Sequence, residues 1–251
     1  MRLKKSLSQV FLTNRSYLEK IFRVINVEDE IVVEGGPGSG RMTEYLLNAR
    51  KLYCVELDGR MCILLKEKFN NKPNVTVIQK DILDFNISTL GENVVFYSNI
   101  PYSISKKIVE RLIGQRRNIS RAYILCQKEF AEKLTAKPKD DVYGFLSCSL
   151  QYYADVRKIL DVPRVVFSPP PNVDSTLVEL AFKTDRSLSI EDEARLMQLL
   201  ARAFTHQRKQ IGTIFPHEAA SGAFVAAGID HKTRPGEISL IQYMALSKII
   251  K

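Results

Sequence analysis

The 251-residue chain has no tryptophan, three histidines and four cysteines. His206, His217 and His231 are scattered, and Cys54, Cys62, Cys126 and Cys148 form no Cys-x-x-Cys pair. That scarcity excludes zinc-ligand spacing and a disulfide framework; three of the cysteines sit in apolar runs, as small core residues do. No apolar run approaches the ~20 residues that span a bilayer. Met1 to Ser6 is basic but lacks the apolar core of a secretory signal. A cytoplasmic protein without metal or membrane contact is therefore expected. Acidic residues are in deficit, 28 against 37 Lys plus Arg, which leaves a net charge of +9. An excess of that size points to a polyanionic partner, with nucleic acid the obvious candidate. Hydrophobic residues, at 45%, are ample for a core.

Strands and helices alternate through the first two-thirds. Residues 31–34, 51–56, 75–79, 94–98 and 122–126 read as strands, with later ones over 156–160 and 176–182. Helices are expected over 41–49, over 58–69 with Asp58 as the cap, over 103–113 and near 128–134. Repeated βα units imply a parallel sheet covered on both faces. Near Lys183–Arg186 the pattern changes to helical periodicity alone, as in Glu193–Phe204 with Leu196, Leu199, Leu200 and Ala203. The expected organisation is an α/β sheet domain over 1–185 and a small all-helical domain over 186–251.

Chemistry concentrates at the predicted strand ends. Glu34-Gly-Gly-Pro-Gly-Ser-Gly40 follows the first strand, and its Gly36, Gly38 and Gly40 have the spacing of a nucleotide-binding turn. Glu56 ends the second strand, where a carboxylate can take both hydroxyls of a ribose. Asp81 follows the third, where it can accept from an adenine amino group. Gly-x-Gly-x-Gly departs from the Gly-x-Gly-x-x-Gly of dinucleotide binders, and a second acidic strand end favours S-adenosyl-L-methionine over NAD. Asn99-Ile-Pro-Tyr102 follows the fourth strand. Its amide oxygen can accept from an exocyclic amine, its proline fixes the backbone and its tyrosine offers a stacking face.

These motifs resemble those of the ribosomal RNA adenine N6,N6-dimethyltransferases, whose members include KsgA-type small-subunit dimethyladenosine transferases and erythromycin-resistance enzymes acting on large-subunit RNA. The resemblance runs from Lys4-Lys-Ser-Leu-Ser-Gln-Val-Phe-Leu12 through Val33–Gly38, Val55–Asp58, Lys80–Ile82, Asn99–Tyr102 and Gln127–Glu129 to Phe167-Ser-Pro-Pro-Pro-Asn-Val-Asp-Ser175. It implies a Rossmann-like methyltransferase sheet and a monomer that methylates rRNA within a small ribosomal subunit, with S-adenosyl-L-homocysteine as by-product. By the same resemblance, Gln9, Val10, Leu12, Gly36, Gly38, Glu56, Asp81, Ile82 and Asn99 hold the cofactor. Asn99, Pro101, Tyr102 and Phe167 form the catalytic set, the two rings sandwiching the target base. Lys4, Lys5, Arg202, Arg208 and Lys209 meet RNA.

Three positions depart from the family pattern. Val10 stands where Asn or His is usual, so one cofactor hydrogen bond is missing or comes from backbone. Ser8 replaces a glycine, and Gly35 replaces an apolar residue, which loosens the strand end. A large-subunit methylase, or a non-catalytic RNA-binding assembly or transcription factor of the same fold, remains as an alternative.

Overall fold

Runs of aliphatic and aromatic residues without polar alternation, such as Ile31–Gly35 and Val94–Asn99, form strands with both faces buried. The structure, a computed structural model, describes residues 10–184, 187–217 and 222–250. It divides into one compact unit of Met1–Ala131 with Asp155–Phe182 and another of Glu132–Ala154 with Lys183–Lys251. The boundary expected at 185/186 lies outside the described residues. Residues 132–154, read from sequence as part of the sheet domain, belong to the second unit.

The first unit contains, in chain order, β1 (Phe11–Leu12), α1 (Arg15–Val24), β2 (Ile31–Gly35), β3 (Lys51–Glu56), α2 (Gly59–Lys68), β4 (Val75–Gln79), β5 (Val94–Asn99), α3 (Ser105–Gly114) and β6 (Ile119–Gln127). After α4 (Lys128–Thr135) come β7 (Ala154–Val162), β8 (Phe167–Ser168) and β9 (Ser175–Phe182). The main sheet has the order β4-β3-β2-β5-β6-β9-β7. The first five strands are parallel neighbours. The expectation of a wholly parallel sheet ends at β9, which runs antiparallel to β6. Residues 163–174, between the sheet neighbours β7 and β9, carry no α-helix to serve as a crossover. A separate antiparallel pair sets Leu12 opposite Phe167. Successive strands leave β2 toward β3 and β4 on one side, and β5 and β6 lie on the other. This reversal places a crevice at the C-terminal ends of β2 and β5.

Helix α1 escaped the sequence reading, although the Asn14 side chain caps it by accepting from the Tyr17 amide at 3.2 Å and Leu18 and Ile21 form its buried stripe. The reverse happened over 41–49. In place of an α-helix there is a 3₁₀ turn over Thr43–Tyr45, with bonds from Tyr45, Leu46 and Ala49 to carbonyls three residues back. This turn carries a buried polar contact: Thr43, fully buried, donates its hydroxyl to Glu34 Oε2 at 2.6 Å. Gly35 does not loosen its strand. It pairs with Val55 and Ser98, and a Cβ there would lie 3.0 Å from Ile82 Cγ1 and 3.2 Å from Phe96 Cζ. Neighbouring side chains already fill the space that an apolar residue would take.

The second unit adds α5 (Phe145–Tyr153), α6 (Ile190–Thr205), α7 (Ile211–Ile214), α8 (Ala223–Ala226) and α9 (Leu240–Ile249). Ser189 caps α6 ahead of three acidic residues, and Ser239 and Gln242 form a capping box on α9. Cys148 and Tyr152 of α5 pack in one cluster with Leu196, Leu199, Leu200, Phe224, Tyr243 and Leu246, which explains why residues 132–154 side with this unit. Among the described residues no helix is long and apolar enough to cross a membrane.

Burial pushes the Glu34 carboxyl up from 4.5 to about 7, against the hydrogen bonds from Thr43 and Cys54. Above the lower value the unfolded chain releases this proton while the folded chain keeps it until the higher one. The unfolded state then binds fewer protons, so the contribution of Glu34 to stability falls across that window and is level beyond it. Urea unfolding across the window should show this downward component in the wild type and its absence in Glu34→Gln. Parallel pH profiles for the two proteins would contradict the assignment.

Candidate cofactor and target site

The turns that leave β2, β3, β4 and β5 enclose a cavity of about 280 Å³, with Val10, Phe11 and Leu12 along one wall. Glu56, at the end of β3, is 6% exposed and organises this cavity. Its Oε2 accepts from the Gly38 amide at 3.0 Å and its Oε1 from the Asp58 amide at 2.9 Å. The Gly36 amide bonds the Val55 carbonyl at 2.9 Å, so β3 holds the glycine turn at two points. Lys68 grips it from α2, donating to the carbonyls of Ser39 and Gly40 at 3.2 Å each and pairing with Glu44 at 2.8 Å. Two glycines have distinct uses. Gly36, at φ +66°, would carry a Cβ into open space, whereas at Gly38, at φ +56°, a Cβ would run into Phe11 Cε1. The first leaves room for a ligand and the second for an aromatic ring.

The lining fits an adenosyl group with an amino-acid tail. Each Glu56 oxygen uses one lone pair on backbone and retains another for a ribose hydroxyl. Asp81 Oδ1 accepts from the Leu83 amide at 2.9 Å, which fixes the carboxylate and leaves Oδ2 available. Ile82 is half-buried beside it. Leu57 lines the same cavity at 52% exposure and supplies an apolar wall for a base. Sequence reading missed Leu57; the signal was a large aliphatic residue between Glu56 and Asp58, just past the strand end.

Asn99 closes β5. Its Nδ2 donates to the Val10 carbonyl at 3.1 Å, and that acceptor fixes which way the amide faces. The amide oxygen is thereby left for a ligand. The Pro101 carbonyl is already engaged by the Ile104 amide and the Ser105 hydroxyl. Tyr102 is half-buried in the lining, its hydroxyl 3.4 Å from Ser175 Oγ, and burial raises its phenol. Phe167 takes another place. It is 4% exposed, packs with Leu12, Leu18 and Val166, and is not among the lining residues. It lies opposite Leu12 in the β1–β8 pair, and Asn99, Pro101 and Tyr102 line the cavity with the cofactor residues.

Gln9, Lys4 and Lys5 lie outside the described residues. In the second unit, Arg208 and Lys209 are exposed in the turn after α6. Arg202 is partly committed, donating to the Ile214 carbonyl at 2.6 Å with its guanidinium 4.5 Å from the Phe215 ring centre.

Comparison with known proteins agrees with this geometry. The chain is 34% identical over 249 residues to the Ribosomal RNA small subunit methyltransferase A of Mycoplasma mobile, covering 97% of this chain and 96% of the relative. The solved dimethyladenosine transferase from Plasmodium falciparum superposes with a TM-score of 0.84 at 26% identity, over 94% of this chain and 95% of that one. The 23S rRNA methyltransferase ErmE gives 0.80 at 25% identity, over 95% and 98%. The family described as Ribosomal RNA adenine dimethylase matches residues 1–251, and the chain belongs to it.

Proposed function

We propose that this protein is a cytoplasmic monomer that transfers methyl groups from S-adenosyl-L-methionine to the N6 amines of adenines in small-subunit rRNA, giving N6,N6-dimethyladenosine during ribosome biogenesis. The observation that carries this reading is the freed Asn99 amide oxygen, on the same cavity as Glu56 and Asp81. Glu56 would hold the ribose, Asp81 and Ile82 the adenine, and Gly36 would leave room for the amino-acid tail. When bound, the sulfonium supplies an electrophilic methyl group, so this chain needs no nucleophile of its own.

The chain's task is orientation. The N6 lone pair of adenine is delocalised into the ring. Asn99 accepting an N6 hydrogen would draw the amine toward tetrahedral geometry and aim its lone pair at the methyl carbon. Loss of the methyl group would leave the donor as a neutral thioether, and Asn99 would hold the amine while its surplus proton passes to solvent. Positioning of this kind can supply ~7–11 kcal/mol of barrier reduction. The adenine must leave its stack at a cost of a few kcal/mol, and one face of Tyr102 can return ~1–3 kcal/mol. Arg208 and Lys209 of the second unit, with Arg202, Lys4 and Lys5, would meet phosphates, and RNA is then read mainly by shape and backbone.

The likeness to ErmE supports a second reading, a large-subunit methylase. Incubating the protein with immature small subunits or with large-subunit RNA, then mapping methylated adenines by mass, separates the two. Dimethyladenines confined to the small subunit are expected; binding without methyl transfer would favour a non-catalytic assembly factor. Asn99→Ala should lower transfer about 10²–10³-fold and leave donor affinity largely intact, whereas Glu56→Ala should weaken donor binding. Unchanged turnover in the first variant, or an unaltered donor dissociation constant in the second, would remove the assigned role.

A further inference from the structure

The glycine turn looks like an anion-binding loop, yet its hydrogen bonds say otherwise. The amides of Gly36, Gly38 and Gly40 are all used internally, by the Val55 carbonyl, Glu56 Oε2 and the Pro37 carbonyl at 2.9, 3.0 and 3.0 Å. The cavity is also acidic, since Glu34, Glu56 and Asp81 line it. A ligand with a carboxylate at one end therefore needs a cation. Among the described lining residues the cations are Lys80 and Arg41. Lys80 precedes Asp81 at the end of β4, where a base would sit. Arg41 directly follows Gly40 in the turn after β2, close in sequence to the open space over Gly36.

We propose that Arg41 is the anion subsite of this cavity and binds the α-carboxylate of the donor's amino-acid tail. The assignment rests on the donor reading given above. Arg41 is exposed at the cavity wall and forms no ion pair with a described carboxylate; its one contact is Nη1 to the Thr13 carbonyl at 3.4 Å. Thr13 is itself fastened, its amide and hydroxyl both bonding the Val166 carbonyl at 3.0 and 3.1 Å. One corner of the guanidinium thus rests on a fixed support while the remaining N–H groups are free to grip a carboxylate as a fork. Among the described residues of that wall, the side chains of Val10, Phe11 and Leu12 contain no hydrogen-bond donor.

The test is calorimetric titration of the full chain with two probes. S-adenosylhomocysteine contains the amino acid, and 5′-methylthioadenosine has the same nucleoside without it. Arg41→Met should lose about tenfold in affinity for S-adenosylhomocysteine and bind 5′-methylthioadenosine as the wild type does. Arg41→Lys should recover part of the loss, and the salt dependence of S-adenosylhomocysteine binding should shrink in Arg41→Met. If wild type and Arg41→Met bind S-adenosylhomocysteine equally, the assignment is wrong and the donor reading stands. Equal losses for both probes would mark Arg41 as a support of the turn and also overturn the assignment. A wild-type chain that binds neither probe would sink the donor reading, and this proposal with it.

Discussion

The Glu56 carboxylate fastens the end of one strand to the turn leaving its neighbour, and the rest of the site depends on that link. With one oxygen on the Gly38 amide and the other on the Asp58 amide, it sets the glycine turn and the start of α2 together. A buried carboxylate is costly unless hydrogen-bonded, and these amides satisfy it without consuming all of its acceptor capacity. What remains faces the cavity. The same group is thus both the keystone of the loop and the natural ligand for a pair of hydroxyls.

A second link works across the cavity. Asn99 reaches from β5 to the Val10 carbonyl, while β1 is paired with β8 and Arg41 touches the Thr13 carbonyl. The segment over residues 10–13 is held at both ends, along the wall where the donor's tail would lie. For Asn99 this means a single amide orients a wall with its nitrogen and leaves its oxygen for a target amine. The contact at Val10 is made by its backbone carbonyl and so does not depend on the side chain there.

Much of this was legible in the sequence, for physical reasons. Strands at 51–56 and 75–79 were read with the bounds they have, because both are short runs rich in β-branched, aliphatic or aromatic residues that end on a polar one. Glu56, Asp81 and Asn99 stood out as polar residues at the ends of such runs. Tertiary contacts decided the rest. Nothing in residues 41–49 announces that Thr43 will be drawn to a buried Glu34. Phe167 is buried against Leu12, Leu18 and Val166, beside a two-residue pairing with β1 that no periodicity can reveal. Residues 132–154 looked like an extension of the sheet domain because the side on which α5 buries Cys148 and Tyr152 is set by residues far later in the chain, such as Leu196, Phe224 and Tyr243.

The central claim is that strand-end carboxylates hold a methyl donor while Asn99 and Tyr102 present an extruded purine to it. A crystal structure of the chain with S-adenosylhomocysteine addresses it most directly. The account predicts both Glu56 oxygens within hydrogen-bond reach of the ribose hydroxyls with the Gly38 and Asp58 amides still attached, Asp81 at the adenine edge, and the sulfur facing Asn99. A nucleoside bound elsewhere, or a Glu56 that must release Gly38 to reach it, would contradict the account.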